Sequence, residues 1–316
     1  MLTIAAARAH GRSVFVSPHD KRAEAEAARR ALAPAAYDYR SDHLALVAAF
    51  AGWEAARRGG GRRAAAEFSG RNFLSDQAMD AIAAGRADFA RTLASLGFLP
   101  EWYVHEMRSA GGGKGGGGAG SKAGGGVAEA YGFMAAATGG PDEFSGNSRM
   151  IKAALCAGFY PSILRVEEPK RYAQVEGGAF RVDADAREVK LFERQLGRVF
   201  VHPASVCFAA GGYKTGWALF TEMVQTSKRF VREVSMVGHY ALLLCAARLE
   251  VLHAAGEVLL DGWARLRLRA RGAVLFARLR RAVDAALAAK VEDPGLDLGG
   301  HPAVEAMLEL IARDGA

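Results

Sequence analysis

Three features are scarce in this chain of 316 residues, and their scarcity excludes several classes of protein. Because no apolar run approaches the roughly 18 residues that cross a bilayer, we predict no membrane span. The apolar N-terminus lacks the basic segment that precedes the core of a signal peptide. The three cysteines, Cys156, Cys207 and Cys245, lie far apart without a C-x-x-C pair, which argues against a zinc knuckle or a disulfide framework. We therefore expect free thiols in an intracellular protein, cytoplasmic or nuclear, with no membrane partner.

Acidic residues are the minority among the charged ones: 41 Lys and Arg stand against 34 Asp and Glu, a net charge of +7. A basic balance favours an anionic partner, although the frequent Ala, Arg and Gly indicate a genome bias that has the same effect. Because 51% of the residues are hydrophobic, most of the chain has enough apolar side chains for a globular core.

Residues 1–108 have the periodicity of packed helices. Ser41-Asp42 is predicted to cap a helix in which Leu46, Phe50 and Trp53 recur at the spacing of one buried face. Further helices are predicted over Ala23–Leu32 and Ser75–Leu96.

Glycine is concentrated in two stretches. We predict a loop at Gly59–Gly61, which arginine pairs flank, and a flexible insertion over residues 109–147. The insertion invites comparison with a phosphate-binding loop, but the motif G-x-x-x-x-G-K-[ST] is absent. Lys114 lacks the following hydroxyl and Lys122 lacks the preceding glycine. No nucleotide site is therefore expected there.

Residues 148–260 combine one helix with several short β-patterned segments. Within Ser148–Leu164 we predict a helix that runs into an apolar turn at Gly158–Pro161, and glycine pairs separate the later segments as hairpin turns do. Short strands at this density favour a small barrel, with an OB-like barrel as the natural candidate. The predicted strands are Tyr172–Val175, Ala179–Val182, Val199–His202, Ser205–Phe208 and Trp217–Val224.

The segment Thr226–Val237 carries the densest chemistry in the chain. Its residues Thr226, Ser227, Lys228 and Arg232 place hydroxyls beside cations, and both kinds of group donate to phosphate oxygens. Aromatic and β-branched neighbours favour a strand that holds this polar edge. The alternative is a half-buried strand with a solvated charged side.

A strict alternation marks residues 263–271, where odd positions are Trp or Arg and even positions are Ala or Leu. From Asp261 to Lys290, eight Lys and Arg stand against two Asp, a local excess of +6. The alternation predicts a strand with one apolar face and one face of arginines, which are Arg265, Arg267, Arg269 and Arg271. The alternative is that these arginines form an ordinary solvated face.

Two helices are predicted to close the chain. Asp293-Pro294-Gly295 separates them, and Pro302 starts the second. The first turns one apolar side inward, formed by Leu275, Phe276, Leu279, Val283 and Leu287.

Short motifs with a common order run along the chain. They are Ser41–Leu46 with Gly52–Glu54, Asn72–Ser75, Ile151–Pro161, Val201–Val206, Thr226–Val237 and Asp261–Trp263. In this order they resemble the C-terminal region of DEAH-box RNA helicases, in particular the RNA helicase A-like group. No single motif is diagnostic, but together they cover nearly the whole chain outside the glycine-rich insertion.

The resemblance implies an α+β chain with an N-terminal helical bundle, a small OB-like barrel and C-terminal helices. In the family these modules cap two RecA-like motor domains and line the channel for single-stranded RNA. The expected domains are a helical ratchet domain over 1–108, the insertion over 109–147, an OB-fold over 148–260 and a basic strand with helices over 261–316.

The resemblance also implies where RNA would be contacted. The family role falls on the four polar residues of Thr226–Val237, and His202 and Ser205 join them because they lie in a family-like His-Pro-Ala-Ser motif. His202 would stack on a base or donate to it; the alternative is a histidine that caps a buried turn. The four arginines of residues 263–271 would follow the RNA backbone or dock against the motor domains.

The chain departs from the family in what it lacks. It contains no Walker A sequence, no Asp-Glu-Ala-His and no Gln-Arg-x-Gly-Arg-x-Gly-Arg pattern. The match begins at Met1, in the middle of a full-length helicase, so we expect a fragment or a truncated gene model. The resemblance implies ATP and Mg²⁺ only for the missing motor domains, and we assign no cofactor, metal or catalytic residue to this chain.

Two functional hypotheses remain. In the first, the chain is the RNA-binding part of an ATP-dependent DEAH-box RNA helicase and grips single-stranded RNA for motor domains that it does not contain. In the second, it is a protein–protein adaptor derived from a helicase, and RNA binding is incidental. A free-standing metabolic enzyme is disfavoured, because no nucleophile–base pair, cofactor loop or metal-ligand spacing is present.

We predict that the purified chain hydrolyses no ATP, because it has neither a phosphate-cradling loop nor a motif that supplies a Mg²⁺-binding carboxylate. Phosphate release, measured with and without single-stranded RNA, should stay at the rate of a protein-free blank. Turnover that rises in proportion to the chain concentration would contradict the prediction.

Overall fold

The computed structural model describes residues 1–32, 40–111, 140–169, 171–175, 178–182 and 185–314. The chain forms two compact units: the first comprises Met1–Ala35 with His43–Asn147, and the second comprises Ala36–Asp42 with Ser148–Ala316. No helix within the described ranges combines the length and apolarity needed to cross a membrane. Most of the predicted insertion, residues 109–147, lies outside those ranges.

Helices dominate the described N-terminal part of the chain. They form where strong helix formers and the apolar spacing of one buried face coincide, as predicted. The helices are α1 (Leu2–His10), α2 (Arg22–Leu32), α3 (Asp42–Arg71), α4 (Asp76–Ser95) and α5 (Glu101–Gly111).

Phe50 and Trp53 lie at the centre of the core of the first unit. Both are only 2% exposed, and their ring centroids are 5.6 Å apart. Helices α1 and α4 pack closely where Gly85 faces Ala6, because a Cβ at Gly85 would lie 3.2 Å from the Ala6 Cβ. The helical face predicted from the spacing of Phe50 and Trp53 is therefore the buried one.

Helix α3 is kinked at Gly60 and Gly61. Gly61 has a φ of +68°, a left-handed conformation that glycine adopts without steric cost. The helix resumes immediately, so the loop predicted at Gly59–Gly61 is reduced to a kink. Arg63 illustrates the difference, because its guanidinium pairs with Glu67, four residues further along the helix, at 3.1 Å.

The start of α4 is tied to α3 by hydrogen bonds. Ser75 caps α4, and its Oγ accepts a hydrogen bond from Ala78 N at 3.2 Å. The neighbouring Asp76 Oδ1 accepts from Trp53 Nε1 at 2.7 Å and from Ser69 Oγ at 3.0 Å. This carboxylate therefore satisfies the polar atom of the largest side chain in the core.

The second unit combines a mixed β-sheet with helices, which confirms the predicted α+β class. Its seven-stranded sheet has the order β7-β8-β5-β4-β1-β6-β9, in which β5 and β8 are parallel and the other neighbours are antiparallel. Strands β10, β11 and β12 form a second sheet, and β2 pairs with β3. The helices are α6 (Ser148–Phe159), α7 (His239–Cys245), α8 (Ala270–Glu292) and α9 (Pro302–Ala312). The strands are β1 (Ile163–Glu167), β2 (Arg171–Val175), β3 (Gly178–Val182), β4 (Lys190–Glu193), β5 (Gly197–Val201), β6 (Trp217–Leu219), β7 (Glu222–Gln225), β8 (Arg229–Arg232), β9 (Ser235–Met236), β10 (Leu249–Leu252), β11 (Glu257–Leu260) and β12 (Ala264–Arg267).

Helix α6 ends at Phe159, within the turn predicted at Gly158–Pro161, because Pro161 cannot continue a helix and β1 begins two residues later. Two other predicted elements of this unit differ from the observed ones. Residues 205–208 form turns closed by hydrogen bonds between backbone groups three residues apart, not a strand. The segment Trp217–Val224 is divided into β6 and β7.

The buried side of α8 is narrower than predicted. Ala273, Phe276, Val283 and Ala286 are buried, whereas the predicted core residues Leu275 and Leu287 are 56% and 49% exposed. Phe276 stacks on Tyr240 at the start of α7, with ring centroids 5.8 Å apart. Small alanines between the larger residues let α8 approach its neighbours along this narrow line, and the outer leucines stay outside it.

We predict that Asp76→Ala lowers the free energy of unfolding by ~1–3 kcal/mol, because it leaves the buried Trp53 N–H without its acceptor. Urea unfolding followed by tryptophan fluorescence measures the change. Asp88→Ala is the matched control on the same helix: its carboxylate is 64% exposed, and its pair with Arg91 is worth less than ~1 kcal/mol. Equal losses in the two variants would contradict the structural role of Asp76.

Candidate nucleic-acid interface

Along strands β5 and β8, successive side chains point alternately to the core and to the outer side of the sheet. Val199, Val201 and Val231 point into the core and are at most 8% exposed. The residues that alternate with these valines lie on the outer side of the sheet, and they include several rings and cations. We call this set the aromatic–basic face; it consists of Arg198, Phe200, His202, Lys228, Phe230 and Arg232.

Parallel pairing of β5 with β8 brings the rings of this face together. Phe200 lies opposite Phe230 in the register, and their ring centroids are 6.2 Å apart. The His202 ring meets Phe230 edge-on at 6.0 Å. All three rings are half-buried, so each keeps part of its surface open while its base packs on the sheet.

Cations border the Phe200 ring. Lys228 Nζ lies 4.7 Å from the ring centroid, and Arg198 Cζ lies 5.1 Å from it. Both cationic side chains are exposed. Such contacts are worth only about 0.5–1 kcal/mol in water, so a ligand phosphate can attract either cation without a large loss.

The face continues across β4 to β1. Phe192 is opposite Arg198 in the β4–β5 register and opposite Arg165 in the β1–β4 register. Arg165 Cζ lies 5.4 Å from the Phe192 centroid. Rings and guanidinium groups therefore alternate over four adjacent strands.

Thr226, Ser227 and Lys228 form the tight turn between β7 and β8. The turn is closed by a hydrogen bond from Thr226 N to Lys228 O at 2.9 Å. Arg229 Nη1 donates to Leu196 O at 2.8 Å and so ties this hairpin to the turn before β5. The prediction of a strand over Thr226–Val237 is therefore wrong for Thr226, Ser227 and Lys228, because β8 begins only at Arg229. All three residues are exposed, and the Thr226 hydroxyl donates to Lys228 O at 3.4 Å within the turn.

Arg232 and His202 lie side by side at the opposite end of the face. Arg232 Nη2 is 3.2 Å from His202 Nε2, and Arg232 Nη1 is 3.8 Å from Glu222 Oε2. His202 Nδ1 accepts a hydrogen bond from Ala204 N at 3.1 Å. The imidazole therefore caps the turn after β5, which was the alternative considered for it, and also contributes its ring to the face.

Ser205 has a different position from the other candidates, because it is buried. Its Oγ donates to Asp42 Oδ2 at 2.6 Å. The same carboxylate accepts from Val206 N and from Val234 N, both at 2.9 Å. The structure thus gives the Ser205 hydroxyl a hydrogen bond inside the protein, and the carboxylate of Asp42, which belongs to the second unit, holds Ser205, Val206 and Val234.

The predicted arginine strand is wrong beyond its first half. Arg265 and Arg267 lie on β12, whereas Arg269 is the N-cap residue of α8 and Arg271 lies within that helix. All four are exposed, and Arg265 faces Glu257 at 3.8 Å. The alternation in the sequence continues past the strand because Arg269, the N-cap residue, and Arg271, in the first helical turn, also face solvent.

Sequence reasoning found the cations and hydroxyls of the hairpin but missed Arg165, Phe192, Arg198 and Phe200. The available signal was the alternation of Arg198, Phe200 and His202 with Val199 and Val201. This alternation indicates a strand that carries rings on its polar side. Among the described residues, no group of three or more His, Cys, Asp or Glu side chains is placed to hold a metal ion.

Two family models match consecutive segments of the second unit. Residues 151–249 match the model of an oligonucleotide/oligosaccharide-binding (OB)-fold. Residues 256–313 match the model of a C-terminal domain in RNA helicases. The aromatic–basic face lies within the first of these matches.

Similar curated proteins are large helicases. Identity is 29% over 98% of this chain with the DExH-box ATP-dependent RNA helicase DExH1 of Arabidopsis thaliana. It is 26% over 96% with the ATP-dependent RNA helicase DHX29 of Homo sapiens and 27% over 93% with the human ATP-dependent DNA/RNA helicase DHX36. The chain spans only 26%, 19% and 24% of these three proteins.

We predict that Asp42→Ala lowers the free energy of unfolding by at least ~2 kcal/mol, because it leaves three buried donors without their acceptor. Ser205→Ala should cost less, about 1 kcal/mol, because Asp42 keeps two of its three donors and only Cys207 N loses an acceptor. Chemical unfolding followed by circular dichroism measures both changes. The control is Asp284→Ala on the exposed side of α8; a loss as large as that of Asp42→Ala would contradict the assignment.

Proposed function

We propose that this chain, which carries the OB-fold and C-terminal domains of DEAH-box RNA helicases, grips single-stranded RNA for the motor domains of a longer protein. The observation that supports this most directly is the aromatic–basic face, where rings and cations alternate on one side of an OB sheet. Proteins that bind single strands combine a positive groove along the phosphates with rings on which bases stack.

The hairpin turn is the proposed phosphate-binding part. Thr226 and Ser227 offer exposed hydroxyl donors, and Lys228 places an ammonium group beside them. Arg232 adds a planar guanidinium that is 41% exposed and lies beside His202 Nε2 at 3.2 Å and Glu222 Oε2 at 3.8 Å. Together these groups match the oxygens and the charge of a phosphodiester backbone.

The rings are the proposed base-binding part. Phe200 and Phe230 are half-buried and fixed by the strand register, so they offer stacking surfaces without losing much side-chain freedom on binding. His202 adds a third ring for stacking, while its Nδ1 and Nε2 are engaged by Ala204 N and Arg232 Nη2. Because every base has a π-face, such contacts favour single strands with little sequence preference.

The exposed Arg265, Arg267, Arg269 and Arg271 are a second proposed contact, either with the RNA backbone or with the motor domains. ATP and Mg²⁺ belong to those motor domains in this proposal, because the sequence contains no Walker A or DEAH segment that fits them. Ser205 acts only indirectly, since its hydrogen bond to Asp42 positions the end of β5.

A protein–protein adaptor is the second candidate, and the outer side of α8 favours it. Leu275 and Leu287 are about half exposed, and Val291 is 69% exposed. An apolar surface of this kind fits a protein partner better than a polynucleotide. The two candidates use different surfaces and are therefore separable by substitution.

We predict that Lys228→Ala with Arg232→Ala weakens the binding of a fluorescein-labelled oligouridine roughly tenfold at low salt. The loss of two phosphate contacts should also reduce the slope of log affinity against log salt by about 1.4. Fluorescence anisotropy over a salt series measures both quantities. Arg313→Ala, which removes an exposed cation from the C-terminal end of α9, is the control; unchanged affinity in the double variant would refute this phosphate site.

Phe200→Leu is predicted to weaken single-strand binding by ~1–3 kcal/mol while leaving the salt slope unchanged, because it removes a stacking surface and no charge. Phe208→Leu is the matched control, since Phe208 is 51% exposed and lies outside the face. The same titration with duplex RNA should show no difference between the two variants. A loss of similar size for Phe208→Leu would argue against stacking on Phe200.

A further inference from the structure

The solvent side of α8 has an unusual composition for a surface helix. Exposed residues follow one another along it at intervals of four and three, the spacing that places side chains on one line. A surface helix normally carries varied polar and charged residues there, whereas this line contains only arginine, leucine and alanine. We call it the outer seam; it consists of Arg271, Leu275, Arg278, Ala282, Ala285 and Ala289.

Apolar side chains are exposed in the first part of the helix. Val274, directly beside the outer seam, is 42% exposed, and Leu275 is 56% exposed. The residues that α8 buries, among them Phe276 and Val283, lie on its other side. Val274 and Leu275 are therefore not part of the core of this unit. Neighbouring apolar side chains that stay in contact with water mark an interaction surface.

Arginines border these two apolar side chains. Arg271 precedes them, and Arg278 and Arg281 follow within the next two turns. Residues 270–283 contain four arginines and no acidic residue. Arg281 Nε donates to Ala277 O of its own helix at 3.4 Å, and among the described residues none of the three bordering arginines has an ion pair. Three positive charges are therefore available to a partner.

A polynucleotide fits the outer seam less well than a protein does. The aromatic–basic face offers rings beside its cations, whereas the outer seam contains no aromatic side chain and no hydroxyl. Proteins that bind single strands use rings to hold the bases, and Val274 and Leu275 would stay in water beside a phosphate backbone. The surface therefore matches a partner that brings apolar side chains and carboxylates together.

Small side chains continue the outer seam toward the C-terminal end of α8. Ala282, Ala285 and Ala289 are all exposed, and the distance between packed helices falls as the residues at their contact become smaller. Alanine is also the best helix former, so these residues alone would indicate an exposed helix and nothing more. Their position on one line with Leu275 is what extends the surface over the length of a second helix.

We propose that the outer seam of α8 binds an acidic amphipathic helix of a partner protein. Apolar residues of the partner, spaced three and four apart, pack on Val274, Leu275 and the alanines, and carboxylates beside them pair with the three arginines. This gives the adaptor candidate a partner of defined chemistry. The outer seam lies outside the aromatic–basic face, so binding of the helix does not require RNA.

A second copy of this chain is a poorer occupant of the same surface. Each copy would bring the cations of Arg271, Arg278 and Arg281 to the interface. Glu292, the next exposed position along the line, is the first acidic residue on it. Two such surfaces carry an excess of positive charge and repel each other, whereas an acidic helix neutralises that charge.

A fluorescein-labelled synthetic peptide tests the surface in the full chain. The probe is a helix of about three heptads with leucine at positions a and d and glutamate at e and g. It should bind, and a peptide with glutamine in place of every glutamate should bind about tenfold more weakly, because exposed ion pairs are individually weak but three act together. Fluorescence anisotropy measures both affinities. A glutamate peptide that does not bind, or equal binding of the two peptides, would overturn the proposal.

Substitutions on α8 test the two kinds of contact separately. Arg278→Glu with Arg281→Glu should weaken binding of the glutamate peptide at least tenfold and allow the matching lysine peptide to bind. Leu275→Gln should weaken the glutamate peptide about tenfold without changing its salt dependence, since it removes no charge. Arg313→Glu on α9 is the matched charge control and should behave as wild type. Circular dichroism verifies that each variant is folded; a folded Leu275→Gln chain with wild-type affinity would contradict the assignment.

Two further measurements distinguish the other occupants. Fluorescein-labelled oligouridine, in about 0.15 M salt where distant charges are screened, should bind the doubly reversed variant and the wild type with affinities within about twofold. A larger loss, together with no peptide binding, would make the outer seam an RNA contact. Sedimentation equilibrium should find a monomer, and a dimer that Leu275→Gln dissociates would make it an interface between copies. Either result would overturn the proposal, whereas a wild-type chain that binds the peptide but not oligouridine would count only against RNA binding.

Discussion

The carboxylate of Asp42 binds together the two strands that display the aromatic–basic face. It accepts hydrogen bonds from Ser205 and Val206, which follow β5, and from Val234, which follows β8. Strands β5 and β8 are parallel neighbours, so no hairpin joins them, and their relative position depends on contacts made beyond their ends. A buried anion with three donors fixes that position more firmly than apolar packing, because each donor is costly to leave unsatisfied.

The register of β5 and β8 fixes the core and the aromatic–basic face at the same time. Val199, Val201 and Val231 point inward only if Phe200, Phe230 and Arg232 point outward. A slip by one residue would bury the cations and expose the valines, and the energetic cost of that exchange protects the face. The side chains of the aromatic–basic face are therefore held in place by the hydrophobic effect acting on their neighbours in the sequence.

Charged side chains of the second unit occupy two different environments. Cations and rings occupy the outer side of β5 and β8, where solvent screens the charges and leaves them available to a polyanion. The Asp42 carboxylate is buried, and the lower polarity around it strengthens each of its hydrogen bonds. Exposed charges thus remain open to a ligand, whereas the buried charge holds backbone segments together.

Local sequence was informative wherever a single element carried the signal. The helical face around Phe50 and Trp53 and the start of α4 at Ser75 both depend on neighbours within one or two turns of the chain. Prediction failed where the partner was distant. Ser205 was assigned to RNA because nothing near it in the sequence indicates that Asp42 takes its hydrogen bond, and the alternation around Arg269 continued across the change from strand to helix.

The sequence by itself determined the α+β class, the family motifs and the concentration of cations near residues 226–232 and 261–290. Composition and short-range periodicity are properties of the covalent chain, and they are visible before it folds. Only the tertiary structure decided which cations share a surface with rings and which hydroxyl is buried. These depend on strand register and on contacts between residues far apart in the chain, which are set by the balance of burial and hydrogen bonding across the whole unit.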